Sequence, residues 1–226
     1  GSFIATQHPL MILKQEEDSI YVAADTLLSG RLSSLNKDSV QTDSTENIKI
    51  DTIKNVTVVD TRKNDSTDRY FQAYRNVRIF SDSLQAVSDS LFYNGKDSIF
   101  QLFKDPVVWA SGSQVTGDTI YLYTKNKKAD RLLVFENGML INKSGENMYN
   151  QNMGNRLNGY FTDGNIDYMR ARGNAESIYY VRDDEQKLVG INKATGDIID
   201  LRFKDRELQR VVFISQVNGT MYPGRQ

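Results

Sequence analysis

The 226-residue chain contains no cysteine and a single histidine, His8. The first absence excludes a disulfide framework, a cysteine zinc site and a thiol nucleophile. The second removes the side chain on which most hydrolytic and metal chemistry leans. Proline is scarce: Pro9, Pro106 and Pro223 each border an apolar run, where a strand end tolerates a missing N–H. No apolar stretch approaches ~18 residues, so none reads as a membrane-spanning helix. Neither charge sign is in excess, with 28 Lys and Arg against 29 Asp and Glu. Composition therefore predicts neither a nucleic-acid binder nor a polybasic membrane-surface protein. No secretory leader is visible, and the opening Gly1-Ser2 leaves export open. At 39% hydrophobic and 25% charged residues, the chain reads as globular, with enough length for one substantial core.

What is present is a succession of short strands. Thr119-Ile120-Tyr121-Leu122-Tyr123 is β-branched, aromatic and alternating. Residues 107–109, 131–135, 177–181 and 210–214 read the same way. Turn dipeptides fall among them: Asn94-Gly95, Asn137-Gly138, Asn158-Gly159, Asp163-Gly164 and Asn218-Gly219. Helical signals are thin. Residues 202–211 fit a turn into a strand as well as a helix.

A repeat stands out: a small residue, an acid, Ser or Thr, then Leu or Ile. Copies are Ala24-Asp25-Thr26-Leu27, Ser88-Asp89-Ser90-Leu91, Gly117-Asp118-Thr119-Ile120 and Ala175-Glu176-Ser177-Ile178. The acids at 89 and 118 are 29 residues apart, and those at 118 and 176 are 58 apart. Gly145-Glu146-Asn147-Met148-Tyr149 reads as a degraded copy between them, and Gly196-Asp197-Ile198-Ile199 as a closer-spaced one. Short apolar strands (Pro9-Leu10-Met11-Ile12, Asn76-Val77-Arg78-Ile79, Pro106-Val107-Val108-Trp109) precede several copies. Such periods mean stacked units that bury one another's apolar faces. An acid followed by Ser or Thr at a strand entry is expected to hydrogen-bond its own backbone at a corner rather than to act in catalysis.

Residues 31–67 interrupt the repeat. Ser, Thr, Asn and Asp occupy 20 of these 37 positions, which predicts a polar surface insertion or one degenerate repeat. Residues 47–59 keep some alternation and are expected to add an edge hairpin. The chain thus divides into first repeat strands (1–30), the insertion (31–67), core repeats (68–145) and degenerate C-terminal repeats (146–226) in one continuous β-stack.

Chemistry motifs are mostly missing. Gly112-x4-Gly117 lacks the lysine of a phosphate loop. Asp163-x-Asn165-x-Asp167 has Tyr168 and Asn174 where a calcium loop needs glycine and glutamate. Asp183-Asp184-Glu185 reads as a solvated hairpin tip. No catalytic residue, metal ligand or cofactor is expected, and the chain is read as no enzyme. Tyr121, Tyr123, Tyr179 and Tyr180 fit half-buried sheet faces, and Trp109 is expected in the core.

Val107-Val108-Trp109-x-x-Gly112-x-Gln114-Val115-x-Gly117-Asp118-Thr119-Ile120-x-Leu122, continuing to Phe135-Glu136-Asn137-Gly138, resembles the repeat of OstA-like proteins. Asn76-Val77-Arg78-Ile79 with Ala86-x-Ser88-Asp89-Ser90-Leu91-x-Tyr93 looks like a second copy. The C-terminal style, as in Gly173-Asn174-Ala175-Glu176-Ser177-Ile178-Tyr179-Tyr180, is similar to OstA-like proteins of Bacteroidetes-type bacteria. The resemblance covers 70–145 best and is absent from 31–67. It implies an all-β fold, a stacked-repeat jellyroll or twisted solenoid-like set of sheets. It also implies a periplasmic place, with outer-membrane association open, and an interior that carries lipopolysaccharide or its lipid A. Edge strands would stack on other jellyroll proteins of a transport bridge.

The family offers no fixed catalytic residues. Candidates for a lipid groove are therefore the apolar strand positions Trp109, Ile120, Leu122, Leu133 and Phe135. Period-two alternation puts Ile120 with Leu122 on one face and Leu133 with Phe135 on one face, without saying which is inside. Two other readings stand beside the lipid carrier. One is an assembly protein of the same fold with a filled core. The other is a jellyroll or β-helical carbohydrate enzyme with acids, bases and tyrosines converging in one cleft.

Overall fold

A computed structural model describes residues 2–14, 19–35, 56–59 (backbone only), 68–82, 84–110, 112–126, 128–183, 185 and 187–224. Among the described residues the chain is all-β, of jellyroll type and antiparallel except for one parallel strand pair, apart from the four-residue helix α1 (Leu32–Leu35). It divides into two compact units, residues 1–104 and 105–226.

The first unit holds β1 (Phe3–Thr6), β2 (Leu10–Leu13), β3 (Ile20–Ala23), β4 (Thr26–Arg31), β5 (Val56–Val59), β6 (Arg69–Phe80), β7 (Leu84–Asn94) and β8 (Ile99–Phe103). Strand β6 pairs with β4 along residues 69–74 and with β3 along 78–80. On its other side it pairs with β7, and β7 pairs with β8. Strands β3 and β4 are thus one long strand broken at Ala24-Asp25. Strands β1 and β2, paired with β4 and β3, are likewise one strand broken at Gln7-His8, where both residues have positive φ. Strand β5 lies parallel to β2, so its described partner is not that of a hairpin. Helix α1 is tied to Asp68, whose carboxylate accepts from the Ser33 amide and hydroxyl. The rest of the expected insertion lies outside the described residues.

The second unit holds β9 (Val107–Ala110), β10 (Ser113–Thr116), β11 (Thr119–Lys125), β12 (Lys128–Gly145), β13 (Met148–Thr162), β14 (Asn165–Arg182), β15 (Leu188–Lys204), β16 (Glu207–Ile214) and β17 (Asn218–Pro223). It is an antiparallel meander. Strands β10 and β11 share partner β12, and β16 and β17 share partner β15. Strands β12 to β15 have 15–18 residues, well beyond the usual strand length of ~3–10. They reach that length because each bends midway.

The bend is written in the burial pattern. On the small-acid-x-Leu side, the two buried residues are three apart: Ala24 and Leu27, Ser88 and Leu91, Gly154 and Leu157, Gly196 and Ile199. On the adjoining strands they are four apart: Ala73 and Val77, Val134 and Gly138, Ala171 and Ala175. Strict alternation would put the second residue of each pair outside in the three-apart case. The added or removed position keeps the apolar face inward through the turn of the sheet. The four-apart strands place two residues at positive φ: Arg75 and Asn76, Glu136 and Asn137, Gly173 and Asn174. Asparagine and glycine tolerate that region best.

The repeated acid clamps this bend across strands. The Asp118 amide donates to the Glu136 carbonyl at 3.1 Å. The Asn137 amide nitrogen donates to the Asp118 carboxylate at 3.0 and 3.2 Å. Asp25 repeats both contacts with Arg75 and Asn76, and adds His8 at 3.1 Å. Asp197 takes the Ser215 hydroxyl and donates to the Ser215 carbonyl, and Asp89 meets Lys104 at 3.2 Å. The expectation of a bond to the acid's own backbone is thus corrected: the partner is on the next strand, where at Asp25 and Asp118 the first positive-φ residue offers its carbonyl and the second its side-chain amide.

The spacing of the copies is corrected too. Glu176 sits opposite Met153 and Thr195, beyond the bend at Gly173-Asn174. The position equivalent to the acid is Asn155, whose side chain lies against Gly173, in Gly154-Asn155-Arg156-Leu157. The 58-residue interval reflects no repeat. Three expected turns also lie in strands: Asn218-Gly219, which opens β17 against Ala194 and Thr195, and Asn137-Gly138 and Asn158-Gly159 inside β12 and β13. At the last two the neighbouring strands continue on both sides, and in all three the ladder overrides the local turn preference.

Candidate functional site

The candidate site is the sheet β11–β15 of the second unit, whose two faces differ in kind. On the inner face, two rows cross all five strands in register. One is Ile120, Val134, Leu157, Ala171 and Ile199; the next is Leu122, Leu132, Gly159, Met169 and Leu201. Every member is buried, and most are at 0–1% exposure. Past the bend the inner face turns partly polar. Val115, Leu140, Asn152, Ser177 and Ala194 form one row, and Ser113 and Asn142 continue into Asn150. The Asn142 amide donates to the Ser113 hydroxyl at 3.0 Å, and the Tyr180 backbone amide donates to Asn150 at 3.0 Å. Asn152, at 0% exposure, has neither side-chain atom paired among the described residues, and the Ser177 hydroxyl opposite it is also unpaired.

The sequence-derived candidates separate accordingly. Ile120 and Leu122 lie on the inner apolar panel. Leu133 and Phe135 alternate to the outer face, where they are half-buried beside Tyr121 and Arg156. Trp109, expected in the core, is 39% exposed, and its indole N–H donates to Gln114 at 2.8 Å. A polar partner reachable at the surface relieves the indole of burial. The sequence reading missed Leu132 and Val134, which alternate with Leu133 and Phe135, and on the further strands Leu157, Met169, Ile199 and Leu201. The last four would have needed the three- and four-residue slip at each bend, which breaks simple alternation.

The outer face carries three rows. Tyr123, Arg131, Tyr160, Tyr168, Arg202 and Arg210 form the first; Tyr121, Leu133, Asn158, Arg170, Asp200 and Val212 the second; Thr119, Phe135, Arg156, Arg172, Ile198 and Ile214 the third. Asp200 anchors the middle row. It accepts from Arg170 Nε and Nη2, each at 2.6 Å, and from the Tyr168 hydroxyl at 2.7 Å. The Arg170 hydrogen bonds hold the Asp200 carboxyl below its ordinary range against the opposing effect of burial. Burial, and then the Asp200 carboxylate, push the Tyr168 hydroxyl up. The turn at Asp183 is self-contained, with its carboxylate capping the amides of Glu185 and Lys187.

No protein-family model matches the chain. No curated protein matches it either. Among solved structures it is similar to LptH, described as the LptA-homologous periplasmic component of the conserved lipopolysaccharide transport device from Pseudomonas aeruginosa. The identity is 15% and the TM-score 0.49, with 62% of this chain and 95% of that chain covered.

Proposed function

We propose that the chain is a non-enzymatic periplasmic module that binds the acyl part of lipopolysaccharide or lipid A and passes it toward the outer membrane. The observation that carries this reading is the two-row apolar panel crossing β11 to β15 without a polar interruption. The resemblance of residues 70–145 to OstA-like proteins, of the Bacteroidetes style at the C-terminus, supports it. An acyl chain laid on such a panel gains ~0.8 kcal/mol per methylene removed from water, so about ten methylenes give roughly 8 kcal/mol gross. Against this stands the loss of the contacts the panel already makes. Strand β17 supports the partner reading: it pairs with β15, all six of its residues are exposed, and an exposed edge strand invites another jellyroll protein.

A second reading has its own observation. The near-zero exposure of Ile120, Leu132, Leu157, Met169 and Leu201 suits an assembly protein of this fold with a filled core. One experiment separates the two. A photo-crosslinking residue is placed at Ile120, Leu122, Leu133 and Phe135 in turn, and each folded variant is exposed to purified lipopolysaccharide. The carrier predicts crosslinks at 120 and 122 and none at 133 and 135. Absence of crosslinks at all four favours the filled core.

A further inference from the structure

The outer face of the same sheet concentrates positive charge in a way that composition hides. Its three rows hold Arg131, Arg156, Arg170, Arg172, Arg202 and Arg210 against one carboxylate, Asp200, in a chain of net charge −1. Asp200 is already engaged by Arg170 and Tyr168. Two pairs of exposed arginines stand directly opposite each other on neighbouring strands, Arg156 with Arg172 and Arg202 with Arg210. Like charges placed directly opposite weaken a sheet, so fold stability does not account for these two pairings. Several of the guanidiniums are also held in place. Arg131 lies 4.3 Å over the Tyr123 ring, Arg202 4.2 Å over Tyr168, and Arg156 5.6 Å over Phe135.

We propose that this face docks on a lipid surface bearing phosphate headgroups. The planar guanidinium fork matches phosphate oxygens bidentately. The arginine pairs lie on β13–β14 and β15–β16, so phosphate sites recur across several strands at ~4.8 Å per strand. That spread suits an array of headgroups better than one small anion. Half-exposed rings and aliphatics lie among the charges, with Tyr160 at 43% and Ile214 at 38% exposure, stacked or in line with the arginine rows. Amphipathic rings beside cations suit the headgroup level of a membrane. The inference uses the outer face alone and stands whether or not the inner panel binds acyl chains.

The test is flotation of the full chain with vesicles of phosphatidylglycerol and phosphatidylcholine in equal parts, against pure phosphatidylcholine. The protein is expected on the anionic vesicles only, and to leave them as salt rises. At about fivefold per guanidinium near an anionic surface, R156Q/R172Q/R202Q/R210Q should bind roughly a hundred- to a thousandfold more weakly. It should melt close to the parent, since two repulsive pairs go together with the ring contacts of Arg156 and Arg202. The charge-matched control K96Q/K143Q/K187Q/K193Q, on exposed lysines that belong to none of these rows, should lose little. Equal binding to neutral vesicles, an unimpaired arginine variant, or an equal loss in the lysine control overturns the proposal. Complete release by millimolar inorganic phosphate would also overturn it, assigning the arginines to a free anion.

Discussion

Gly117→Ala tests whether the bend is fixed by close packing through it. Gly117 is buried just before Asp118, and a β-carbon there would overlap Val134 Cγ1 and lie 3.1 Å from the Glu136 carbonyl oxygen. Val134 is 1% exposed, faces Ile120 and Leu157 across the ladder, and as a β-branched residue has few rotamers to retreat into. Overpacking of this kind costs ~1–3 kcal/mol. At ~2–4 °C per kcal/mol for a chain of this size, the melting temperature falls by roughly 2–12 °C. Val134→Ala alone removes two buried methyl groups, ~1.6 kcal/mol of transfer at ~0.8 each, plus a cavity term. Together the two changes are compatible, since the new methyl occupies space the valine leaves. The double variant should therefore be less destabilised than the sum of the singles by ~1 kcal/mol or more. Urea unfolding followed by the fluorescence of Trp109, the one tryptophan, reads all four proteins of the cycle. A Gly117→Ala protein that unfolds at the parental midpoint, or strictly additive losses, would refute the packing argument.

Asn137 separates backbone from side chain at the same bend: its φ is 50° and its amide holds Asp118. Asn137→Gly should cost ~1 kcal/mol for the lost bond, and Asn137→Ala a further ~1–2 for a left-handed non-glycine residue; equal melting temperatures would exclude the conformational part. Asn152→Leu replaces a fully buried, unpaired amide between Leu140 and Ser177, and is expected to raise stability by ~1 kcal/mol in urea unfolding. A lowered midpoint would mean that Asn152 is satisfied in solution. Asp200 sets an acid limb. Its folded carboxyl titrates below its unfolded value of ~3.9, held down by Arg170. Its contribution is therefore present above that value and lost as pH falls through the folded pKa. Melting temperature against pH should decline less steeply below about pH 4 in Asp200→Asn. At neutral pH that variant should lose ~1–3 kcal/mol by leaving Arg170 without its carboxylate. An unchanged acid limb would remove Asp200 from the account.

Much of the strand content was legible because strands declare themselves locally. The stretch 119–123 alternates cleanly and lies in β11. The motif around Asp118 was also legible, but its role was only half so. A carboxylate followed by threonine announces a corner, yet the Asn137 that holds it is 19 residues away and reachable only once β12 lies beside β11. The misassigned copy at Glu176 has the same origin. Its letters fit the pattern, but the bend of β14 is fixed by Gly173 and Asn174 at positive φ, which letters do not display. Of the candidate groove residues, alternation correctly paired Ile120 with Leu122 and Leu133 with Phe135. Choosing the inner pair required knowing which face the neighbouring strands cover.

By itself, then, the sequence determined what depends on period and on composition. Strands alternate with period two, so their two faces are sorted as the chain is written, and cysteine chemistry is absent whatever the fold. Only the tertiary structure decided how the faces combine. A row such as Tyr123, Arg131, Tyr160, Tyr168, Arg202 and Arg210 draws one residue from each of six strands. Its register is set by bulges at every bend, and a slip of one residue would send each side chain to the opposite face. That is why a chain whose charges balance overall nevertheless gathers six arginines around one aspartate. Charge balance is a sum over the whole chain, whereas a surface is a selection made by the pairing of its strands.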